Sequence, residues 1–194
     1  MPADDPDAAA IAIVQVPGPP LCPRLLAQVE AIFFEASRRI PAPGPEREAF
    51  RERWLGRYLS GGSDVVLLAL EAKGGVAGYL VGAVENPAEQ PRFADIGYLH
   101  TDFAELCRRF PAHLHINLAP AFRSRGIGGQ LIEAFAVRAA AAGAPGMHAI
   151  TGEGMRNVGF YLRCGFVPHA RAHWNGHTVV FLARELGRPR PCGA

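Results

Sequence analysis

Arg123-Ser124-Arg125-Gly126-Ile127-Gly128-Gly129 is the stretch on which the reading of this chain turns. It follows an apolar, strand-like run from Leu114 to Leu118 and opens an Ala-rich helical pattern from Gln130 to Ala142. A strand, a Gly-rich turn and a helix start, in that order, make an anion cradle. Glycine lets a backbone come close to a ligand. The N–H groups of a first helical turn have no intrahelical acceptor and face outward. Arg123 and Arg125 add charge-assisted contacts of the kind phosphate takes. A ligand carrying a pyrophosphate is therefore expected, bound by Arg123 to Gln130. The structural alternative is a solvated strand–helix loop whose glycines serve packing. Two other phosphate folds fit poorly. The third glycine of a dinucleotide fingerprint and an acidic residue at a second strand end are missing, and no G-K-[ST] follows the turn, which excludes a P-loop pattern.

Composition bounds the rest. A chain of 194 residues is most naturally one domain with a sizeable core. Hydrophobic residues at 49% and charged residues at 20% are ordinary for a globular protein. A net charge of +2 is too small to argue for a nucleic-acid surface. No apolar run approaches the roughly 20 residues of a membrane helix. The acidic start, Met1 to Asp7, has no adjacent apolar region, so a secretory signal is not expected. Cys22, Cys107, Cys164 and Cys192 are scattered without a C-x-x-C pair, which argues against a zinc site or a disulfide framework. A reducing cytoplasm is the simplest setting.

Outward from the turn, the pattern resolves into alternating elements. Residues 1–9 read as a disordered arm, 10–186 as the domain and 187–194 as a loose tail. Ile11 to Val16 is a first strand closed by Pro17-Gly18-Pro19-Pro20. Leu25, Leu26, Val29, Ile32, Phe33 and Ala36 recur at helical spacing until Pro41. A second helix opens at Pro45, with Phe50, Trp54 and Tyr58 as an inner aromatic face and Gly61-Gly62 as its stop. Val65 to Glu71 and Val76 to Glu85 flank Lys73-Gly74-Gly75 as a hairpin. Asn86 to Pro111 is a Pro-broken excursion with a short helix within Thr101 to Phe110, either a binding loop or a surface insertion. After the central strand, turn and helix come a strand from Met147 to Thr151 and a short helix from Arg156 to Arg163 stopped by Gly165. Strands Phe166 to His173 and His177 to Ala183 are joined through Asn175-Gly176, the preferred two-residue hairpin turn. The order β-α-α-β-β-(excursion)-β-α-β-α-β-β predicts an α/β domain with a mixed, mostly antiparallel sheet of about seven strands flanked by about four helices.

That order, with that turn, resembles the GNAT superfamily of acetyl-CoA-dependent N-acetyltransferases. The family's phosphate turn, Q/R-x-x-G-x-G/A, is matched by Arg123-x-x-Gly126-x-Gly128, and its second signature, F-Y-x-x-x-G-F, by Phe160 to Phe166. The run His113-Leu114-His115-Ile116-Asn117-Leu118-Ala119-Pro120 is similar to the H-L-H-I-D-L-x-P of acetyltransferase-like domains related to bacterial O-GlcNAcases. The specific resemblance spans Pro111 to Pro168. Two positions depart from it. Gly154 stands where many members carry an Asn that holds the cofactor's pantetheine arm, and Asn157 is the nearest Asn. Asn117 stands where the closer subgroup has Asp, and an amide does not titrate.

The resemblance implies roles. The pantetheine amides would pair with the backbone of Ile116 and Leu118 as an added strand, with Asn157 as a further contact. The Leu118 N–H would serve as an oxyanion donor. The pyrophosphate would rest on Arg123, Ser124, Arg125, Gly126, Ile127, Gly128, Gly129 and Gln130. Tyr161 would be the general acid for the departing thiolate, since a phenol pKa near 10 suits a thiolate of roughly similar basicity. His113 and His115 alternate onto one strand face with Asn117 and are candidate bases for the amine; the alternative for both is that of half-buried sheet residues. Glu85, Asp95 and Glu153 are weaker candidates, each equally explained as a solvated charge. Trp174 and His177 read as a cross-strand pair. Nothing in sequence beside Cys164 would activate it for a ping-pong route.

The function implied is direct acetyl transfer from acetyl-CoA to a primary amine in a ternary complex, with no metal, nucleic-acid or membrane partner. The acceptor is left open between a small molecule, a protein lysine and an N-terminus, and the oligomeric state is not legible. Two alternatives stand: a non-catalytic acetyl-CoA-binding module, and another nucleotide-binding protein.

Overall fold

The computed structural model describes residues 11–16, 20–37, 40–59 and 64–187. The expected arm, the Gly61-Gly62 stop and the tail after Gly187 lie outside them. Seven strands form one mixed sheet: β1 (Ile11–Gln15), β2 (Asp64–Glu71), β3 (Val76–Ala83), β4 (Ala112–Leu118), β5 (Gly146–Gly152), β6 (Val167–Trp174) and β7 (His177–Glu185). Their order is β1-β2-β3-β4-β5-β7-β6. The β4–β5 pair is parallel, while β1–β2, β5–β7 and β6–β7 are antiparallel. Six helices occur among the described residues: α1 (Pro23–Ala36), α2 (Pro45–Trp54), α3 (Gly97–His100), α4 (Ala104–Arg109), α5 (Ile127–Ala141) and α6 (Arg156–Arg163). The expectation of about four missed α3 and most of the excursion's order, because a four- to six-residue helix leaves too few turns to show a period.

By contacts the chain groups into two compact units. The first holds β1, α1 and α2 with Val66–Val81 and Ile116–Leu131. Here β1 runs antiparallel to β2 from Ile11↔Glu71 to Gln15↔Leu67. In α1, Pro23 supplies a first helical residue needing no N–H acceptor, and Val29, Ile32 and Phe33 face inward. The Phe33 ring meets Phe50 at 5.4 Å. The aromatic face expected on the second helix breaks apart. That helix ends at Trp54, Leu55 leaves helical geometry at φ −139, and a separate 3₁₀ turn, Gly56–Tyr58, follows. Tyr58 is buried, whereas Phe50 and Trp54 are only half-buried, so the spacing of four residues does not carry one continuous stripe.

The second unit holds Gly82–His115 and the chain from Ile132 on, with Asp64 and Val65. The excursion is packed on the sheet rather than a surface insertion. Its Phe103 and Phe110 rings lie 5.2 and 6.4 Å from Phe181 of β7, and Tyr98 meets Trp174 of β6 edge-on at 5.4 Å. Asp64 at the start of β2 accepts two 2.6 Å hydrogen bonds from Arg92, tying the Pro91–Phe93 turn down. The β6–β7 hairpin turns through Asn175 (φ 49) and Gly176 (φ 76), as a primed two-residue turn requires. Among the described residues no helix is long and apolar enough to cross a membrane.

Candidate functional site

Ile116, Leu118 and the turn from Arg123 to Gln130 lie together in the first unit, at the end of β4 and the start of α5. After β4 a short 3₁₀ turn, Pro120–Phe122, leads to Arg123, whose Nε donates to the Leu118 carbonyl at 3.1 Å. Arg123 therefore braces the turn against the strand end, a role its sequence did not announce. Arg125 lies over the Phe122 ring at 5.5 Å. Two left-handed residues, one on each side of Arg125, shape the loop: Ser124 at φ 61 and Gly126 at φ 80. A left-handed Ser is strained, and such strain persists where surroundings over-determine it. The helix then opens with Gln130 N–H bonded to Gly126 O at 3.2 Å, so the three N–H groups before it have no acceptor within the helix. A Cβ built on Gly126 or Gly129 meets nothing within 4 Å. The turn thus fits a phosphate: Ser124, Arg125 and Gly126 are exposed, it carries two guanidinium groups, and there is open space over Gly126 and Gly129.

Also in this unit, Asn117 donates from Nδ2 to the Tyr79 hydroxyl at 2.8 Å. Tyr79 is fully buried, and burial pushes its phenol pKa up, so it stays protonated. Nothing in the sequence singled Tyr79 out; its only signal is a polar tip within the otherwise apolar run of β3.

Tyr161, Asn157, His113 and His115 belong to the second unit. The F-Y-x-x-x-G-F signature is the closing device of α6. Gly165 takes φ 81, Phe166 N–H bonds to Tyr161 O at 3.1 Å and Gly165 N–H to Leu162 O at 3.1 Å, a Schellman-type cap. The Tyr161 ring sits edge-on to Phe166 at 5.3 Å and is 4% exposed. Burial raises its pKa, which keeps the phenol protonated at neutral pH while weakening it as an acid. Asn157 accepts from Thr151 Oγ1 at 2.9 Å, tying the first turn of α6 to β5. Gly154 stands at φ 72, a left-handed position.

The histidine expectation divides. His115 is half-buried. His113 is buried, and its imidazole pKa lies well below the usual value because burial, then the neighbouring His148, disfavours the cation. Its Nδ1–H donates to Pro111 O at 3.3 Å, and its ring stacks on His148 at 5.6 Å. The geometry thus makes His113 a core residue and a poor base. His148, which the sequence did not flag, is its counterpart. Buried, it donates from Nδ1 to Phe110 O at 2.5 Å and stacks on Phe181 at 4.5 Å, and burial lowers its pKa to about 4. The two histidines face each other because Ala112↔Met147 and His113↔His148 are the register pairs of β4 with β5.

Glu153 pairs with Arg171 at 2.6 Å, and Glu85 and Asp95 are exposed. Trp174 and His177 form the expected cross-strand pair. Cys164 has its thiol pKa raised, by burial first and by Glu133 next, the reverse of what a nucleophilic thiolate needs. Among the described residues no three His, Cys, Asp or Glu side chains are grouped to hold a metal ion.

Comparison with known proteins fits this geometry. A family model described as an acetyltransferase (GNAT) domain matches residues 63–168. The crystal structure of SsHAT superposes with a TM-score of 0.67 at 22% identity, covering 92% of this chain and 100% of that one. A GNAT superfamily phosphinothricin acetyltransferase from Sinorhizobium meliloti, solved in complex with acetyl-CoA, superposes with a TM-score of 0.58 at 20% identity, covering 91% and 89%.

Proposed function

The chain belongs to the GNAT acetyltransferase family, and from that premise we propose that it is an acetyl-CoA-dependent N-acetyltransferase working by direct transfer to a primary amine. The observation that carries this reading is the turn from Arg123 to Gly129, exposed at Ser124, Arg125 and Gly126, with its two left-handed residues, two arginines and helix start. The pyrophosphate of acetyl-CoA rests on that turn and on Gln130, and the pantetheine arm lies along the backbone of Ile116 and Leu118, with Asn157 as a further contact. The acceptor nitrogen attacks the thioester carbonyl and gives its proton to His115. The Leu118 N–H holds the oxygen as it gains charge. The C–S bond breaks, and the thiolate takes a proton from Tyr161. His113 serves the fold instead. The setting is cytoplasmic, and the run from His113 to Pro120 supports kinship with domains related to O-GlcNAcases.

A second reading, an acetyl-CoA-binding module without turnover, draws support from Gly154, where many members of the family carry Asn, and from Asn117, where the O-GlcNAcase-related subgroup has Asp. Thermal unfolding with acetyl-CoA, CoA, NAD and ATP in parallel, followed by an amine panel, separates the readings. A ligand at about 100 times its Kd adds about 2.7 kcal/mol, and each kcal/mol moves Tm by about 2–4 °C in a chain of this size. A shift of that order with acetyl-CoA and turnover of an amine support transfer. The same shift without turnover supports the binding module. A larger shift with ATP or NAD, or none at millimolar acetyl-CoA, refutes both.

A further inference from the structure

Among the described residues the pairing of β4 with β5 covers Ala112 and His113. Besides Arg123, whose Nε donates to the Leu118 carbonyl, β3 holds the end of β4 through three contacts within the first unit. Ala119 N–H donates to Ala77 O at 3.0 Å. Gly78 lies so close that a Cβ there would come within 2.9 Å of the Asn117 carbonyl oxygen and 2.2 Å of Leu118 Cδ2. Asn117 Nδ2 donates to Tyr79 Oη at 2.8 Å. The peptide between Asn117 and Leu118 is planar, so its carbonyl and the Leu118 N–H can only turn together. Gly78 boxes the carbonyl end, and the side chain on the preceding Cα is tied to a fully buried phenol.

We infer that Tyr79 and Asn117 form one positioning unit that sets the tilt of the Asn117–Leu118 peptide and thereby aims the Leu118 N–H. The inference rests on the acetyl-transfer reading for what that N–H does, though not for where it points. Asn117 then has work that needs no titration: an amide nitrogen donates to a neutral phenol oxygen, which a carboxylate cannot do. A donor held in advance costs no reorganisation as charge develops, and small misplacements near a reacting atom are expensive in rate.

Tyr79→Phe keeps the ring and removes only the oxygen. In ¹⁵N-labelled protein the Leu118 amide resonance is expected to move and its hydrogen exchange to quicken, with the amides of the β6–β7 hairpin unchanged. In the active enzyme, Tyr79→Phe and Asn117→Ala should each lower kcat about tenfold with the acetyl-CoA Kd within about twofold. The double variant should fall no further than the worse single, as members of one unit do. An unmoved Leu118 amide in Tyr79→Phe, or single effects that multiply in the double variant, overturns the inference. If the wild type acetylates no amine, the transfer reading falls by itself, and the amide comparison still decides whether the pair aims Leu118.

Discussion

Acidification should unfold this protein through His148, and the size of the effect follows from where that ring sits. The imidazole is buried against Phe181 and His113, with Nδ1–H given to Phe110 O. Its pKa in the fold is about 4, against an ordinary 6.5. The sign is fixed by linkage. The unfolded chain binds the proton more readily, so the fold is unpenalised above pH 6.5 and loses stability as pH falls toward 4. At pH 5 the ring would be about 97% protonated when unfolded and about 10% when folded, a loss of about 2 kcal/mol. His148→Phe removes this ring's titration, leaving that of His113 in both proteins, and keeps the stack, while costing about 1–3 kcal/mol at every pH because Phe110 O loses its donor. The assay is the Tm of both proteins at pH 7.5 and 5.0. Between these values the wild type should drop about 4–8 °C more than the variant. Equal drops would show that the buried ring is not the acid-sensitive group.

Two further outcomes are expected. Tyr161→Phe should lower kcat at least tenfold while leaving acetyl-CoA binding and Tm nearly unchanged, as the ring still packs on Phe166 at 5.3 Å; undiminished turnover would remove Tyr161 from the chemistry. Gly126→Ala places a Cβ at φ 80, costing about 1–2 kcal/mol of backbone strain, and puts a methyl group into the space over the turn; calorimetric titration should find acetyl-CoA bound at least tenfold more weakly, and unchanged affinity would exclude that turn as the phosphate seat.

The comparison between residues and structure separates two kinds of information. The turn, the Asn175-Gly176 hairpin and the Gly165 stop were legible because each is decided by the φ preference of one or two residues. The order of strands and long helices was legible because it rests on periods of apolar residues repeated over many positions. By contrast, Phe50, Trp54 and Tyr58 have helical spacing, yet the helix stops at Trp54 and scatters them. The excursion, with one short helix read within Thr101 to Phe110, gave no sign of a buried face because proline breaks its period, and only packing on β6 and β7 makes its aromatic residues core.

The candidate site divides along the same line. By itself the sequence determined that a strand, an arginine- and glycine-bearing turn and a helix start follow one another, and that Tyr161 precedes a glycine-capped helix end, because these are contacts between residues near in the chain. Only the tertiary structure decided that His113 is buried with its pKa held well below the ordinary value, that its ring stacks on His148, and that Asn117 donates to Tyr79. Those facts depend on burial and on contacts spanning some 35 to 38 residues, His113 to His148 and Tyr79 to Asn117. A side chain's charge state and rotamer are set by what packs around it, and neighbours in space are not written in neighbours along the chain.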